Sequence, residues 1–151
     1  MPVPQFRIFF DTSVYIAGLL SPNGAAGELI RLAEVGGIRM VVSEDVIRES
    51  DAVLGRKFPD LISDSRRFWR SLSPDLASRC GAEELARFRS LLPTGDAAIL
   101  CAAFRADVSA FVTWNTKDFM KVGVDQLVSV PIVIPSEGLR LIREWCESYL
   151  D

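Results

Sequence analysis

The sequence predicts an α/β protein, a three-layer α/β/α sandwich with a central, mostly parallel sheet of short strands. The first observation is a set of four apolar, β-rich runs, Arg7 to Phe10, Ile38 to Val42, Ala110 to Thr113 and Ile132 to Ile134, each too short for a helix. The second is that segments with apolar residues at helical spacing lie between these runs. Strands that alternate with helices pair in parallel and are covered by those helices. The third is length: 151 residues suit one domain with a proper core, spanning 1–151, and leave no room for a second of ordinary size.

The elements follow in order. The first strand ends on Asp11, and Val14 to Leu20 continues as a helix. Ala25 to Val35 carries Leu29, Ile30, Leu32 and Ala33 at helical spacing and stops at Gly36-Gly37. Ser43 is an N-cap, with Glu44 and Asp45 in the first turn where the helix dipole favours acids, and this helix runs through Val53 or Leu54. From Lys57 to about Leu92 the chain is arginine-rich and amphipathic, and Phe58-Pro59 and Ser73-Pro74 divide it into two or three helices. After Pro93, Thr94 caps a helix from Asp96 to about Ala106, whose nearly all-apolar AILCAAF predicts burial. Ser136 caps the last helix, with Leu139, Leu141, Ile142, Trp145 and Cys146 on its apolar side.

Composition narrows the chemistry. Apolar residues make up 49% and charged residues 25%, ordinary for a soluble protein and too apolar for disorder. The slightly positive mean hydropathy fits an apolar surface for a partner or a second copy, or simply a dense core. No apolar segment approaches the ~18 residues of a membrane span, and MPVPQFR lacks the layout of a signal peptide, so a cytoplasmic location with no membrane association is expected. Cys80, Cys101 and Cys146 are odd in number and far apart, and are expected to be reduced, mostly packed thiols. The chain has no histidine, which removes the serine-hydrolase and cysteine-protease triads and every histidine-ligated metal site. Carboxylates must then carry most of any catalysis. With a net charge of −3 there is no global basic field, so a polyanion would need local arginines and a metal.

Function in open α/β sheets collects at the carboxyl ends of the strands. Asp11 stands at such an end, and Asp118 follows the strand AFVT by a few residues. Glu49 lies about two turns into the helix after IRMVV, and Asp96 opens the helix after Thr94 and Gly95. Each has a second reading. Asp11 could cap the helix beginning near Thr12, Asp96 could serve the helix dipole, Glu49 could be a solvated helix residue, and Asp118 could cap a short turn. Taken together they are a stronger signal than any one alone.

The stretches DTSVYIAGLLSP, VVSEDVIRES, GDAAILCAA and FVTWNTKDF, in this order and spacing, resemble the PIN-domain nucleases, above all the bacterial and archaeal PIN toxins of toxin-antitoxin pairs. The likeness runs from Phe6 to about Ile134. It implies a Mg²⁺- or Mn²⁺-dependent ribonuclease with RNA as substrate, an antitoxin protein as partner and a homodimeric state. By position it makes Asp11, Glu49, Asp96 and Asp118 the catalytic and metal-ligating acids. Thr12, Ser13, Thr113 and Asn115 match the polar positions that orient ligands or water. Asn115 stands where many relatives carry an aspartate, which leaves one carboxylate fewer for a second metal.

The chemistry agrees with that resemblance. Crowded carboxylates repel a phosphodiester, and a hard divalent cation with oxygen ligands reverses the sign. Arginines grip phosphate through their planar fork, so Arg48 and Arg56, with Lys117 in support, are candidates for the RNA backbone, and Trp114 for stacking on a base. Lys57, Arg66, Arg67 and Arg70 share the same helices, where the solvated face of a helix explains such charges equally well. Phe68-Trp69 is open to core, interface or RNA. The competing class is a PIN-like module that binds RNA or a protein and cuts nothing. Phosphatases of the haloacid-dehalogenase type and response-regulator receivers fit poorly, since the first needs D-x-D and the second an acidic pair where this chain has Phe10-Asp11-Thr12-Ser13.

Overall fold

The computed structural model describes residues 4–150, so the first residues of the MPVPQFR stretch lie outside the described part. Five strands, β1 (Arg7–Phe10), β2 (Arg39–Ser43), β3 (Asp75–Ala77), β4 (Ala110–Val112) and β5 (Ile132–Val133), form one sheet in the order β3-β2-β1-β4-β5. Every pairing is parallel, with Phe9 opposite Val41 on one side and Phe111 on the other. The helices are α1 (Thr12–Leu20), α2 (Ala25–Glu34), α3 (Glu44–Lys57), α4 (Ile62–Leu72), α5 (Ala82–Arg89), α6 (Thr94–Arg105), α7 (Thr116–Phe119) and α8 (Pro135–Glu147).

From β1 the chain moves outward to β2 and β3, then returns to build β4 and β5 on the far side of β1. Right-handed crossovers therefore place α1 to α4 on one face and α5 and α6 on the other. Helix α8 comes back to the first face, where Gly138 sits against Val112 of β4 and Leu29 of α2. Ile8, Phe9, Phe10, Val41, Val42, Phe111 and Val112 are fully buried, and Phe9 stacks on Phe111 with ring centroids 5.4 Å apart. Covered on both faces, these strands are continuous apolar runs with no polar alternation.

Several expectations about local chemistry hold. The Ser43 Oγ accepts from the Val46 N–H at 3.4 Å and caps α3. Gly36, at φ +80°, ends α2: the Gly36 N–H reaches the Ala33 carbonyl and the Gly37 N–H the Leu32 carbonyl, the paired bonds of a left-handed helix stop. Trp69 resolves as packing, its ring 3.8 Å from that of Tyr15, whose hydroxyl bonds Ser65 at 2.7 Å.

Four expectations are corrected. Strand β3 is an addition to the four expected runs; its sequence Asp-Leu-Ala has no β-branched residue, and it is held at the sheet edge by Asp75, which pairs with Arg7 and Arg39 at 2.7 Å each. Helix α6 starts at Thr94 with Pro93 as its N-cap, so Thr94 is inside the helix. Helix α8 starts at Pro135 and not after Ser136, because proline's missing N–H and fixed φ suit the first helical position. Cys80 and Cys101 are joined in a disulfide, and the free thiol Cys146 is exposed, where three reduced and mostly packed thiols were expected. The unrecognised β3 explains the bond, since it turns the chain so that Cys80 and Cys101 have their Cα atoms 6.2 Å apart. Among the described residues no helix is long and apolar enough to cross a membrane.

Helices α1 and α2 close on each other through glycine. A Cβ on Gly27 would lie 2.1 Å from the Pro22 carbonyl oxygen, which is backbone and cannot swing aside. Gly55 in α3 meets only the Ile62 Cδ1 at 3.6 Å, an ordinary contact. Gly27→Ala is expected to lower the unfolding free energy by about 2 kcal/mol through overpacking. Gly55→Ala is expected to raise it by roughly 0.5 kcal/mol through helix propensity. Urea unfolding of the two variants checks this, and effects of the same sign would contradict it.

Candidate active site

The register pairs Phe10 with Val112, so the residues that follow, Asp11 and Thr113, emerge side by side from the ends of β1 and β4. These are the neighbouring strands from which the chain departs in opposite directions, and such a switch point opens a crevice beyond the strand ends. Asp11 is buried, only 4% exposed, at the N-cap position of α1, yet its side chain makes no cap hydrogen bond. Its Oδ2 instead accepts from the Thr113 hydroxyl at 2.7 Å and the Ser13 hydroxyl at 2.9 Å. Each hydroxyl is fixed in turn. Thr113 Oγ1 accepts from the Asn115 N–H at 2.9 Å, and Ser13 Oγ from the Trp114 N–H at 3.0 Å. Both hydroxyls take the same oxygen, so the other is committed to neither.

Asn115 links the remaining acids. Its Nδ2 donates to Asp118 Oδ2 at 3.2 Å and reaches Asp96 Oδ2 at 3.4 Å, while its Oδ1 accepts from the Asp118 N–H at 3.3 Å and caps α7. Asp96 sits in the first turn of α6, where the helix dipole favours an acid. Glu49 reaches in from α3. Thr12 has a buried hydroxyl with no hydrogen-bond partner among the described residues; it stands near the Glu49 carboxylate and favours its ionised form, but without hydrogen-bond geometry. An orphaned buried hydroxyl costs about 1–3 kcal/mol.

The electrostatics are those of unbalanced negative charge. Burial pushes the Asp11 carboxyl above its usual range, against the pull of the Thr113 and Ser13 hydroxyls. Burial and then the charge of Asp11 raise Glu49. Asp96 is pushed up to about 7 by burial, by its hydrogen bond with Asp118 and by the charges of Asp11, Asp118 and Glu49. Asp118 is held low, first by Asn115 and also by Asp96 and the charges of Lys121 and Lys117. Among the described residues no lysine or arginine forms an ion pair with any of these acids.

This donor set fits a hard divalent cation: all-oxygen, anionic, and without an ion-paired lysine or arginine among the described residues. The fit is an open one. No three of these carboxylates bring ligand atoms within 4.8 Å of one another among the described residues, which suits an ion that keeps several waters. The trio that does meet this spacing is Cys80, Glu84 and Cys101, but its two sulfurs are bonded to each other and are not available as thiolates.

The structure therefore brings together Asp11, Glu49, Asp96 and Asp118 with Thr12, Ser13, Thr113 and Asn115. Of the predicted RNA contacts, Arg48 lies beside Glu49 on α3, paired with Asp45 at 3.0 Å, and Lys117 acts on Asp118 by charge. Trp114 is 46% exposed next to Thr113. Arg56 is not brought to the site: it lies two helical turns beyond Glu49, roughly 10 Å along α3. Lys121 went unrecognised in the sequence, although its spacing from Lys117 in KDFMK puts the two on one side of a helical turn. Arg79 went unrecognised with β3.

The PIN domain family profile matches residues 7–117, a stretch that contains Asp11, Glu49 and Asp96. No curated protein matches the chain significantly. Among solved structures the chain is similar to VapBC2 from Rickettsia felis, crystallised bound to a DNA fragment from their promoter. The TM-score is 0.62, with 16% identity over 85% of this chain and 98% of that one. At that identity the likeness is one of fold.

With Asp96 at about 7 in the folded protein and near 3.8 when exposed, the folded state keeps a proton across this interval that the unfolded chain has lost. Without metal, stability is therefore lost as pH rises from about 4 to about 7. Asp96→Asn removes that loss. In chelator, the stability of the variant relative to wild type should rise steadily across this window, as read from urea midpoints. Parallel curves would contradict it.

Proposed function

The chain belongs to the PIN-domain family, and on that premise we propose that residues 1–151 act as one metal-dependent ribonuclease domain that hydrolyses RNA phosphodiesters with Mg²⁺ or Mn²⁺. The observation that carries this reading is the convergence of Asp11, Glu49, Asp96 and Asp118 beyond β1 and β4 with no ion-paired lysine or arginine among the described residues. The orphaned Thr12 hydroxyl beside them supports it.

In this reading Asp11 and Asp96 are the main ligands, and Glu49 and Asp118 bind directly or through water. A bound divalent ion supplies charge neutralisation of the phosphodiester and activation of a water. Thr113 and Ser13 hold the Asp11 carboxylate in one orientation from below, as outer partners of a metal ligand do. Asn115 donates to both Asp96 and Asp118, a role a carboxylate cannot fill, and adds no charge to recruit a second ion. Glu49, raised by burial and then by the charge of Asp11, would orient the attacking water or accept its proton.

The physiological role we propose is that of a cytoplasmic toxin in a toxin-antitoxin pair, with an antitoxin protein as partner and a homodimer as the working form. The family likeness of the motifs and the similarity of fold to VapBC2 support it.

The test is cleavage of a mixed RNA with added Mg²⁺ or Mn²⁺ and with chelator. Wild type is expected to cut only with metal. Asp11→Asn and Asp96→Asn should each lose about 100-fold or more, that is ~2.7 kcal/mol or more of transition-state stabilisation. Ser13→Ala, which removes an outer partner only, should lose about 10-fold. Cutting in chelator, or variants as active as wild type, would contradict the proposal, and RNA binding without any cutting would favour a non-catalytic PIN-like module.

A further inference from the structure

A cleft of about 430 Å³ opens beside Glu49, the one site acid that lines it, between α3 and Thr94 and Gly95 at the start of α6. It adjoins a second cleft of about 350 Å³, lined by Arg79, Cys80 and Leu85, and the two share Asp45, Arg48 and Ala98 as walls. A continuous path thus runs from Glu49 past two arginines. We infer that Arg79, together with Arg48, forms a subsite for the RNA backbone along this path, holding phosphate next to the scissile bond; the inference rests on the nuclease reading above.

Arg79 lines the cleft with donors that no hydrogen bond engages. Its Nη2 lies 3.7 Å from Glu44 Oε2 and 3.9 Å from Asp45 Oδ1, beyond hydrogen-bond distance, and the group is 61% exposed. Arg48 spends one nitrogen on the same Asp45 oxygen, at 3.0 Å, and is 64% exposed. The shared carboxylate keeps the two guanidinium groups together while leaving most of their N–H donors to a ligand. Four other arginines are held elsewhere. Arg66 is bound through two nitrogens to Asp51, Arg7 and Arg39 to Asp75, and Arg105 to Glu84. The planar fork of arginine matches phosphate oxygens, whereas a lysine offers only a point charge.

The position of Arg79 is built in. The neighbouring Cys80 is bonded to Cys101 of α6, the helix that presents Asp96, so the loop carrying Arg79 is tied to the same element as the acid. In a chain of net charge −3, a polyanion passing a cluster of acids requires cations fixed at that point.

The experiment is steady-state cleavage of a fluorescent mixed-sequence single-stranded RNA in Mg²⁺ by wild type, Arg79→Ala, Arg79→Lys and, as a charge control, Arg140→Ala on α8. Arg79→Ala should raise KM about 5–10-fold with kcat within about 2-fold, as for binding shared by ground and transition states. The slope of log kcat/KM against log salt should flatten by about 0.7, the loss of one phosphate contact on a single strand. Arg79→Lys should recover only part of the KM effect, and Arg140→Ala should match wild type. An Arg79→Ala enzyme with wild-type KM and salt slope overturns the subsite and leaves the nuclease reading standing. Absence of metal-dependent cleavage by wild type overturns both.

Discussion

Negative charge confined in a crevice between two strand ends is the constraint on which the rest of this structure depends. Charges of one sign ~6 Å apart repel by roughly 3 kcal/mol at an effective dielectric of ~20. Like charges act on one another here, Asp11 on Glu49 and both on Asp96. A domain of this size has only about 5–15 kcal/mol of net stability. The repulsion is therefore a large cost. The protein offsets part of it with the Ser13 and Thr113 hydroxyls, the Asn115 amide and a shared proton on Asp96. What it does not provide, among the described residues, is a cation paired with any of these acids.

The sheet order is what makes the crowding unavoidable. Because β4 returns to pair with β1 on the side opposite β2, the residues after Phe10 and Val112 open onto one crevice. Helix α3 enters with Glu49 from one side and α6 with Asp96 from another, and α7 adds Asp118 through its Asn115 cap. The apolar faces of β1 and β4, locked by the Phe9 and Phe111 stack, supply a rigid floor. Rigid strand ends beneath a polar rim are the arrangement that holds ligands within a few tenths of an ångström of working geometry.

Much of this was legible in the sequence because the signals were local. The runs IRMVV and AFVT, the Ser43 cap and the Gly36-Gly37 stop each depend on neighbouring residues only. Asp11, Asp96 and Asp118 were legible because each follows a strand or opens a helix. Strand β3 was not, since Asp-Leu-Ala owes its place to Arg7 and Arg39 on other strands. The Cys80 to Cys101 bond and the place of Arg79 in the cleft beside Arg48 followed β3 out of view, being long-range consequences of one unseen turn. Arg56 failed in the opposite way: its charge and its helix were right, but the helical rise carried it past the site.

The central claim is that these carboxylates hold a divalent ion, and the most direct measurement is Mn²⁺ binding followed by electron paramagnetic resonance of the free ion, with no RNA present. The account predicts saturable binding by wild type that weakens at least about tenfold in Asp11→Asn and in Asp96→Asn, one anionic ligand being lost in each. No saturable binding by the wild-type protein, or binding by both variants as tight as that of wild type, would contradict it.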